Sequence, residues 1–316
     1  MTYKTQLTEM LGIEYPVIMA PMFLVSTPKM IVAALNSGIT AAMPALNYRT
    51  AKELDEAVKF IKSKSEKPFG VNIIVNKSNI RYKEQLDVCI KNRVAFIITS
   101  LGNPKEVIAR GKEVGVKVFC DVTDLNFAQK VEQLGADAII AVSSQAGGHA
   151  GQLNPKELIS TLKEHCKIPV ISAGGVVTNA QFQEKLNYGA DGVTVGTAFI
   201  ASNECDVCQE YKDAIVKYKA KDIVSTEKLS GSKLTVINTP YVQKIGTEAN
   251  VLEKFLNRNK RLRKYVKMLM AINSMKKLQK AAFSTTYQTV WCAGPSIEDI
   301  NDTKSVNDIV ERIVKQ

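Results

Sequence analysis

The chain has 316 residues, of which 45% are hydrophobic, and a formal net charge of +11. This length and composition suit a globular enzyme with a large buried core. No run approaches the roughly 18 apolar residues that a membrane span needs, and Met1 to Glu9 lacks the apolar centre of a secretory signal. We therefore expect a cytoplasmic protein without a membrane span.

Short apolar runs, many rich in β-branched residues, recur through the first two thirds of the chain and predict strands. The runs are Val17 to Met19, Thr40 to Met43, Gly70 to Val75, Ala95 to Thr99, Val116 to Cys120, Ala138 to Val142, Val170 to Ala173 and Gly192 to Val195. Helical patterning separates them, as in Pro28 to Ser37, Ala51 to Ser63, Pro104 to Val114, Asn126 to Leu134 and Ala180 to Tyr188.

Eight strand and helix units in succession predict an α/β fold, a (β/α)8 TIM barrel. Glycine stands where a helix should end before the next strand, at Gly38, Gly115, Gly135 and Gly189. A doubly wound open sheet is the alternative, and periodicity alone leaves it open. The barrel is favoured because eight units fit it and because no G-x-G-x-x-G motif follows the first strand.

After Ala201 the sequence becomes helical and rich in lysine. We expect a helical insertion after the eighth strand, on the face where barrel active sites lie, so that it forms a lid. The predicted division is a barrel of residues 1–200 and 291–316 with a lid domain of residues 201–290. The helix predicted at Ser305 to Val314 would return to the barrel as its eighth outer helix.

Residues just after the strands should meet at one end of the barrel. Gly174 and Gly175 follow the seventh run, and Gly196 and Thr197 follow the eighth. These are the positions where this fold usually binds phosphate, with backbone N–H groups facing the anion. Gly174 and Gly175 alone are equally typical of a tight turn. Together the two turns predict a site for a phosphorylated cofactor or substrate.

His149 is one of only two histidines and lies in the loop Ala146-Gly147-Gly148-His149-Ala150-Gly151, after the sixth run. Glycine lets a ligand approach the backbone, and imidazole can move a proton near neutral pH. A lone histidine is more often structural, but this loop and its place at a strand end favour a general base, worth about 10² to 10⁴ in rate. His165 is predicted to be a surface residue.

Five motifs in this order and spacing resemble the nitronate monooxygenase (2-nitropropane dioxygenase) family, and FMN-dependent enoyl-acyl-carrier-protein reductases share most of them. The motifs are Ala20-Pro21-Met22, Phe69-Gly70-Val71-Asn72, the loop around His149, Ser172-Ala173-Gly174-Gly175 and Gly192-Val193-Thr194-Val195-Gly196-Thr197. The resemblance covers about residues 10 to 205 and implies FMN as the cofactor.

The resemblance also implies a role for each matching position. The FMN phosphate would be held by Gly174, Gly175, Gly196 and Thr197, while the flavin ring or ribityl chain would contact Asn72 and the turn of Ala20, Pro21 and Met22. Val195 belongs to the same cofactor-binding set. Gly147 and Gly148 would pass beside the isoalloxazine, and His149 would face the substrate across it.

A basic segment, Lys254 to Lys280, has ten basic residues, and one acid precedes it at Glu253, so this stretch carries nine of the eleven net positive charges. The plain interpretation is a solvated helix face. The functional ones are attraction of NAD(P)H, an anionic substrate or an acidic carrier protein, and, after these, binding to a membrane surface or to nucleic acid. Few aromatic residues occur there, which disfavours nucleic acid as a partner. The pair Cys205 and Cys208 lacks a second pair, so no metal site is predicted.

We therefore predict an FMN-dependent nitronate monooxygenase that converts alkyl nitronates, or other carbon acids such as nitroalkanes, to carbonyl compounds and nitrite with O₂. The first alternative is an NAD(P)H-dependent enoyl-ACP reductase. An alternative of another class is a non-enzymatic basic binding protein on a barrel scaffold. A homodimer is compatible with the sequence.

Overall fold

A computed structural model describes residues 3–76, 79–226, 233–248 and 290–315. Eight parallel strands close into a barrel in chain order, so the predicted TIM barrel is confirmed. The open sheet is wrong, because the first strand pairs with both the second and the eighth. The strands are β1 (Val17–Met19), β2 (Thr40–Pro44), β3 (Gly70–Ile74), β4 (Phe96–Ser100), β5 (Lys117–Val122), β6 (Ala138–Val142), β7 (Val170–Ala173) and β8 (Gly192–Val195).

Helices alternate with these strands and pack on the outside of the barrel. They are α1 (Gln6–Leu11), α2 (Pro28–Asn36), α3 (Ala51–Lys64), α4 (Tyr82–Lys91), α5 (Lys105–Val114), α6 (Leu125–Leu134), α7 (Pro155–His165) and α8 (Asn179–Asn187). Gly115 and Gly135 end α5 and α6 in the left-handed conformation, as their place before the next strand predicts.

The inside of the barrel is filled and closed at its amino end. Phe96 and Phe119 stack there with ring centroids 4.8 Å apart. Leu7 and Leu11 of α1 are buried in the same apolar cluster as these rings, so α1 caps the amino end. A ligand can therefore approach the strands only from their carboxyl ends, where barrel active sites lie.

The segment after β8 is only partly helical in the described residues. It contains α9 (Thr197–Ile200), α10 (Gln209–Lys217), β9 (Ile223–Thr226), β10 (Leu234–Ile237) and α11 (Pro240–Ile245). The prediction of a helical insertion missed the antiparallel pair of β9 and β10. The basic segment Lys254 to Lys280 lies outside the described residues, and the division into barrel and lid stays a prediction.

The chain returns to the barrel with α12 (Val306–Val314), which packs against α2 and α8. This is the position of the eighth outer helix, as predicted. Within the described ranges, no helix is long and apolar enough to cross a membrane. The six cysteines all lie in the described ranges, and no two of them form a disulfide.

Candidate active site

The turn after β1 lies beside the turn after β8. The backbone N–H of Ala20 donates to the Val195 carbonyl at 2.8 Å. The Ser26 hydroxyl donates to the Ala20 carbonyl at 2.8 Å and accepts from the Met22 N–H at 2.9 Å. The predicted turn Ala20-Pro21-Met22 is therefore held rigidly at the open end of the barrel.

Gly174 and Gly175, after β7, are required by the fold itself. Their φ angles are +95° and +75°, a conformation that favours glycine. A Cβ on Gly174 would overlap the backbone of Ala146, and one on Gly175 would overlap the Gln145 side chain. Their presence is therefore explained without a ligand, which agrees with a tight turn.

Gly196, after β8, has no such requirement. Its φ is −113°, which any residue adopts. A Cβ there would meet Met22 Sδ at 3.5 Å and Ala20 Cβ at 3.6 Å, which are ordinary contacts. Since packing does not exclude a side chain at Gly196, its absence is consistent with a ligand that passes close to the backbone.

Thr197 and the loop that carries His149 both contact Gly294, in the segment that returns to the barrel before α12. Its hydroxyl oxygen accepts a buried hydrogen bond from the N–H of Gly294 at 3.0 Å. A Cβ on Gly147 would lie 2.9 Å from the same Gly294 nitrogen and 3.1 Å from Thr197 Oγ1. No residue in the described ranges accepts the hydrogen of the Thr197 hydroxyl, so an anion bound there could accept it.

The loop that carries His149 folds back onto the end of β6. The carbonyl of Ser143 accepts from the N–H groups of Ala146 at 3.2 Å and Gly151 at 3.1 Å. On the other side, β10 holds the loop, because the Thr235 N–H donates to the Gly148 carbonyl at 2.8 Å. The Thr235 hydroxyl also donates to the Gly148 carbonyl at 3.2 Å.

His149 itself is exposed at the open end, and none of the described residues forms a hydrogen bond with its ring. Desolvation by the surrounding protein lowers the pKa of His149 below its ordinary value of 6.5. The imidazole is therefore neutral at physiological pH and able to accept a proton. His165 is exposed at the end of α7, as predicted.

Asn72 belongs to a polar row at the ends of β3, β4 and β5. Its amide nitrogen donates to Ser100 Oγ at 2.7 Å and to the Ile98 carbonyl at 3.2 Å. Ser100 Oγ in turn donates to Asp121 Oδ2 at 2.5 Å. The pairing partners Ile98 and Ile140 belong to the apolar cluster inside the barrel, so the row faces inward.

Asp121 is an acid inside the barrel mouth. Burial raises the pKa of its carboxyl to about 6, and the hydrogen bond from Ser100 opposes that shift. Among the described residues, no basic side chain forms an ion pair with it. Within the described parts of the chain, the Ser100 hydroxyl is the hydrogen-bond donor to this carboxylate.

Val195 and Thr194, also in the β8 motif, differ in which of their groups can reach a ligand. The Val195 side chain packs into the outer core, so only its backbone can reach a ligand. Thr194 is paired with Ile18 of the inner cluster, and its hydroxyl is buried with no hydrogen-bond partner within the described ranges. A buried hydroxyl without a partner is costly unless a bound group supplies one.

These observations fit a phosphorylated flavin at the open end. Gly196 leaves room for it, while the hydroxyls of Thr194 and Thr197 each keep a hydrogen to donate. The described parts of the chain contain no group of three or more His, Cys, Asp or Glu that could hold a metal ion.

Sequence reasoning missed Ser100, Asp121, Thr235 and Gly294. Ser100 and Asp121 are polar residues at strand ends, so the argument that selected Asn72 would have found them. Thr235 and Gly294 lie 87 and 97 positions from their partners Gly148 and Thr197, and nothing in the local sequence indicates those contacts.

Comparison with known proteins finds a matching family model and several relatives. The family model described as nitronate monooxygenase matches residues 4–82 and 77–316. A probable nitronate monooxygenase of Staphylococcus aureus (strain JH9) is 30% identical over 286 residues, covering 77% of this chain and 80% of that protein.

Two further proteins extend the comparison. The (3aS,4S,5R,7aS)-5-hydroxy-7a-methyl-1-oxo-octahydro-1H-indene-4-carboxyl-CoA dehydrogenase of Rhodococcus jostii (strain RHA1) is 30% identical over 250 residues, covering 79% of this chain and 70% of that protein. The structure of FabK from Thermotoga maritima is 30% identical with a TM-score of 0.87, covering 99% of this chain and 96% of that one.

Proposed function

From the premise that this chain belongs to the nitronate monooxygenase family and is an oxidoreductase, we propose that it binds FMN and oxidises alkyl nitronates with O₂ to carbonyl compounds and nitrite. The observation that carries the proposal is His149, an exposed imidazole at the open end of the barrel with a lowered pKa. It stands on a loop fixed by β6 and β10.

The FMN phosphate would lie at Gly196 and Thr197, next to the turn of Gly174 and Gly175. Thr197 would donate its free hydroxyl hydrogen to a phosphate oxygen. The flavin ring or ribityl chain would lie toward Asn72 and the turn of Ala20, Pro21 and Met22, and beside Gly147 and Gly148. When bound, FMN supplies the electron acceptor, a role that no protein side chain can fill.

His149 would act on the substrate according to its charge. With a neutral nitroalkane, an imidazole nitrogen would remove the proton from the carbon that bears the nitro group. An anionic nitronate has already lost that proton, so His149 would only orient it. Turnover of the two substrate forms therefore separates the role of His149 as a base from any role in binding.

The second candidate function is reduction of an enoyl thioester by NAD(P)H. It is favoured by the similarity to FabK over 99% of the chain and by the relative named as a carboxyl-CoA dehydrogenase. In that reaction the β carbon receives a hydride and the α carbon receives a proton, so His149 would act in its protonated form, as the general acid that donates this proton. An acidic carrier protein would then be the partner.

Steady-state assays of the FMN-loaded protein separate these functions. Nitrite release and O₂ consumption from a propyl nitronate, without any need for NADPH, support the first proposal. Rapid NADPH oxidation that depends on an enoyl thioester, with no nitrite from nitronates, would overturn it in favour of the second. Protein that is colourless and does not bind added FMN would instead support a non-enzymatic scaffold.

A further inference from the structure

The polar row of Asn72, Ser100 and Asp121 has a fixed hydrogen-bond direction. The Ile98 carbonyl can only accept, so the amide group of Asn72 must turn its nitrogen toward Ile98 and Ser100. Both amide hydrogens are then used within the protein. The Ser100 oxygen accepts one of them and gives its own hydrogen to Asp121.

Asp121 fixes the other end of the row, at the Ser100 hydroxyl. An ionised carboxylate can only accept, so the Ser100 hydroxyl must donate to it and offer its oxygen to Asn72. With both nitrogen hydrogens engaged, Asn72 keeps only its Oδ1 for a ligand. Charge-assisted hydrogen bonds of this kind are short and strong, in agreement with the 2.5 Å between Ser100 Oγ and Asp121 Oδ2.

The stability of the fold does not explain why position 121 carries a carboxyl group. Asp121 faces the inside of the barrel beside Ile140, and none of the described basic residues pairs with it. The neighbouring strands β4 and β6 contain no titratable side chain. Burial of an acid without a cation costs stability, so a role in the site is the simpler reason for its presence.

We propose that Asp121 and Ser100 are positioning residues that hold the Asn72 amide with Oδ1 as a hydrogen-bond acceptor for an N–H group of the flavin. The inference rests on the proposed FMN binding. It specifies that Asn72 contacts the flavin through Oδ1 and accepts a hydrogen bond. It also adds Ser100 and Asp121 to the site as residues that act without touching the cofactor.

The test is FMN affinity of the apoprotein, measured by fluorescence quenching, together with the absorption spectrum of the bound flavin. We expect Ser100→Ala and Asp121→Leu each to weaken binding roughly five- to tenfold, since each removes one orienting hydrogen bond. Ser100→Thr keeps the hydroxyl and should bind FMN within about twofold of wild type. The double variant should be no weaker than either single variant, because all act through one row.

Asn72→Ala supplies the decisive control. In that background Ser100→Ala should change neither the FMN affinity nor the flavin spectrum, because no amide is left to position. Thermal unfolding of each apoprotein checks folding, and the Ser100 variants suffice if Asp121→Leu does not fold.

Two results would overturn the inference while leaving FMN binding intact. One is unchanged affinity and spectrum in Ser100→Ala. The other is an equal loss from Ser100→Ala with and without Asn72. Failure of wild-type protein to bind FMN would instead overturn the proposed function, and with it this inference.

Discussion

The backbone N–H of Thr235 donates to the carbonyl of Gly148 at 2.8 Å, directly before His149 in the chain. The segment that follows β8 is thereby joined to the loop that follows β6. The edge of β10 is held in turn by Trp291, whose carbonyl accepts from the Ile237 N–H at 2.8 Å. Three distant parts of the chain thus fix the place of His149.

Replacement of His149 should separate flavin binding from proton removal. His149→Ala is expected to keep FMN and to lose about 10² to 10⁴ in kcat/KM for a neutral nitroalkane, the usual worth of a positioned base. Turnover of the matching nitronate should fall far less, because its proton is already gone. His165→Ala, at the exposed end of α7, is the matched control. Equal losses for both substrate forms would remove His149 as a base.

The pH dependence of the same reaction should report the lowered pKa of His149. Only the neutral imidazole accepts a proton, so kcat/KM for the neutral nitroalkane should rise with pH, through an inflection below 6.5, and then level off. Asp121 titrates at about 6 and could produce a similar inflection. The inflection must therefore survive in Asp121→Asn and vanish in His149→Ala.

Two glycines of the predicted phosphate cradle should respond in opposite ways to alanine. Gly175 has φ +75° and no room for a Cβ beside Gln145, so Gly175→Ala should destabilise the apoprotein by about 1–3 kcal/mol. Gly196 has an ordinary φ and room within the protein, so Gly196→Ala should leave the unfolding temperature almost unchanged and weaken FMN binding. Unaltered FMN affinity in Gly196→Ala would argue against a phosphate at that turn.

Asp121 should lower the stability of the apoprotein at neutral pH. Its pKa is raised from 3.8 to about 6 in the folded state, so the folded protein binds a proton that the unfolded chain has released. The stabilisation is complete below about pH 4 and is lost as the pH rises through 6. Asp121→Asn should therefore gain about 1–3 kcal/mol of unfolding free energy at pH 8 and little at pH 4. Denaturant unfolding at the two pH values measures this, and Asp213→Asn, at an exposed site, should show no such difference.

The barrel was predictable because its signals are local. The bounds of β1, β6, β7 and β8 agree with the apolar runs, since a strand of a parallel sheet is apolar on both faces and stands out from its polar neighbours. The other four strands differ at one or both ends by one or two residues. In β4 and β5 the difference arises because the strand continues through the polar residues Ser100 and Asp121, which end an apolar run.

The unpredicted part of the site depends on long-range contacts. β9 and β10 are four residues each and rich in β-branched side chains, a local strand signal that the prediction of a helical insertion overlooked because the surrounding stretch is rich in lysine. The contact of Thr235 with Gly148, 87 positions away, follows only from the folded chain. Gly174 and Gly175 were predicted as part of a phosphate site. Their positive φ angles and the lack of space for a Cβ show that the turn itself also requires glycine there.

The most direct test of the central claim is the visible absorption spectrum of the FMN-loaded protein, recorded without oxygen before and after addition of an alkyl nitronate and then, in a separate sample, of NADPH. We expect the nitronate to bleach the flavin absorbance at once and NADPH to bleach it slowly or not at all. Rapid bleaching by NADPH, with no change on addition of the nitronate, would contradict this expectation.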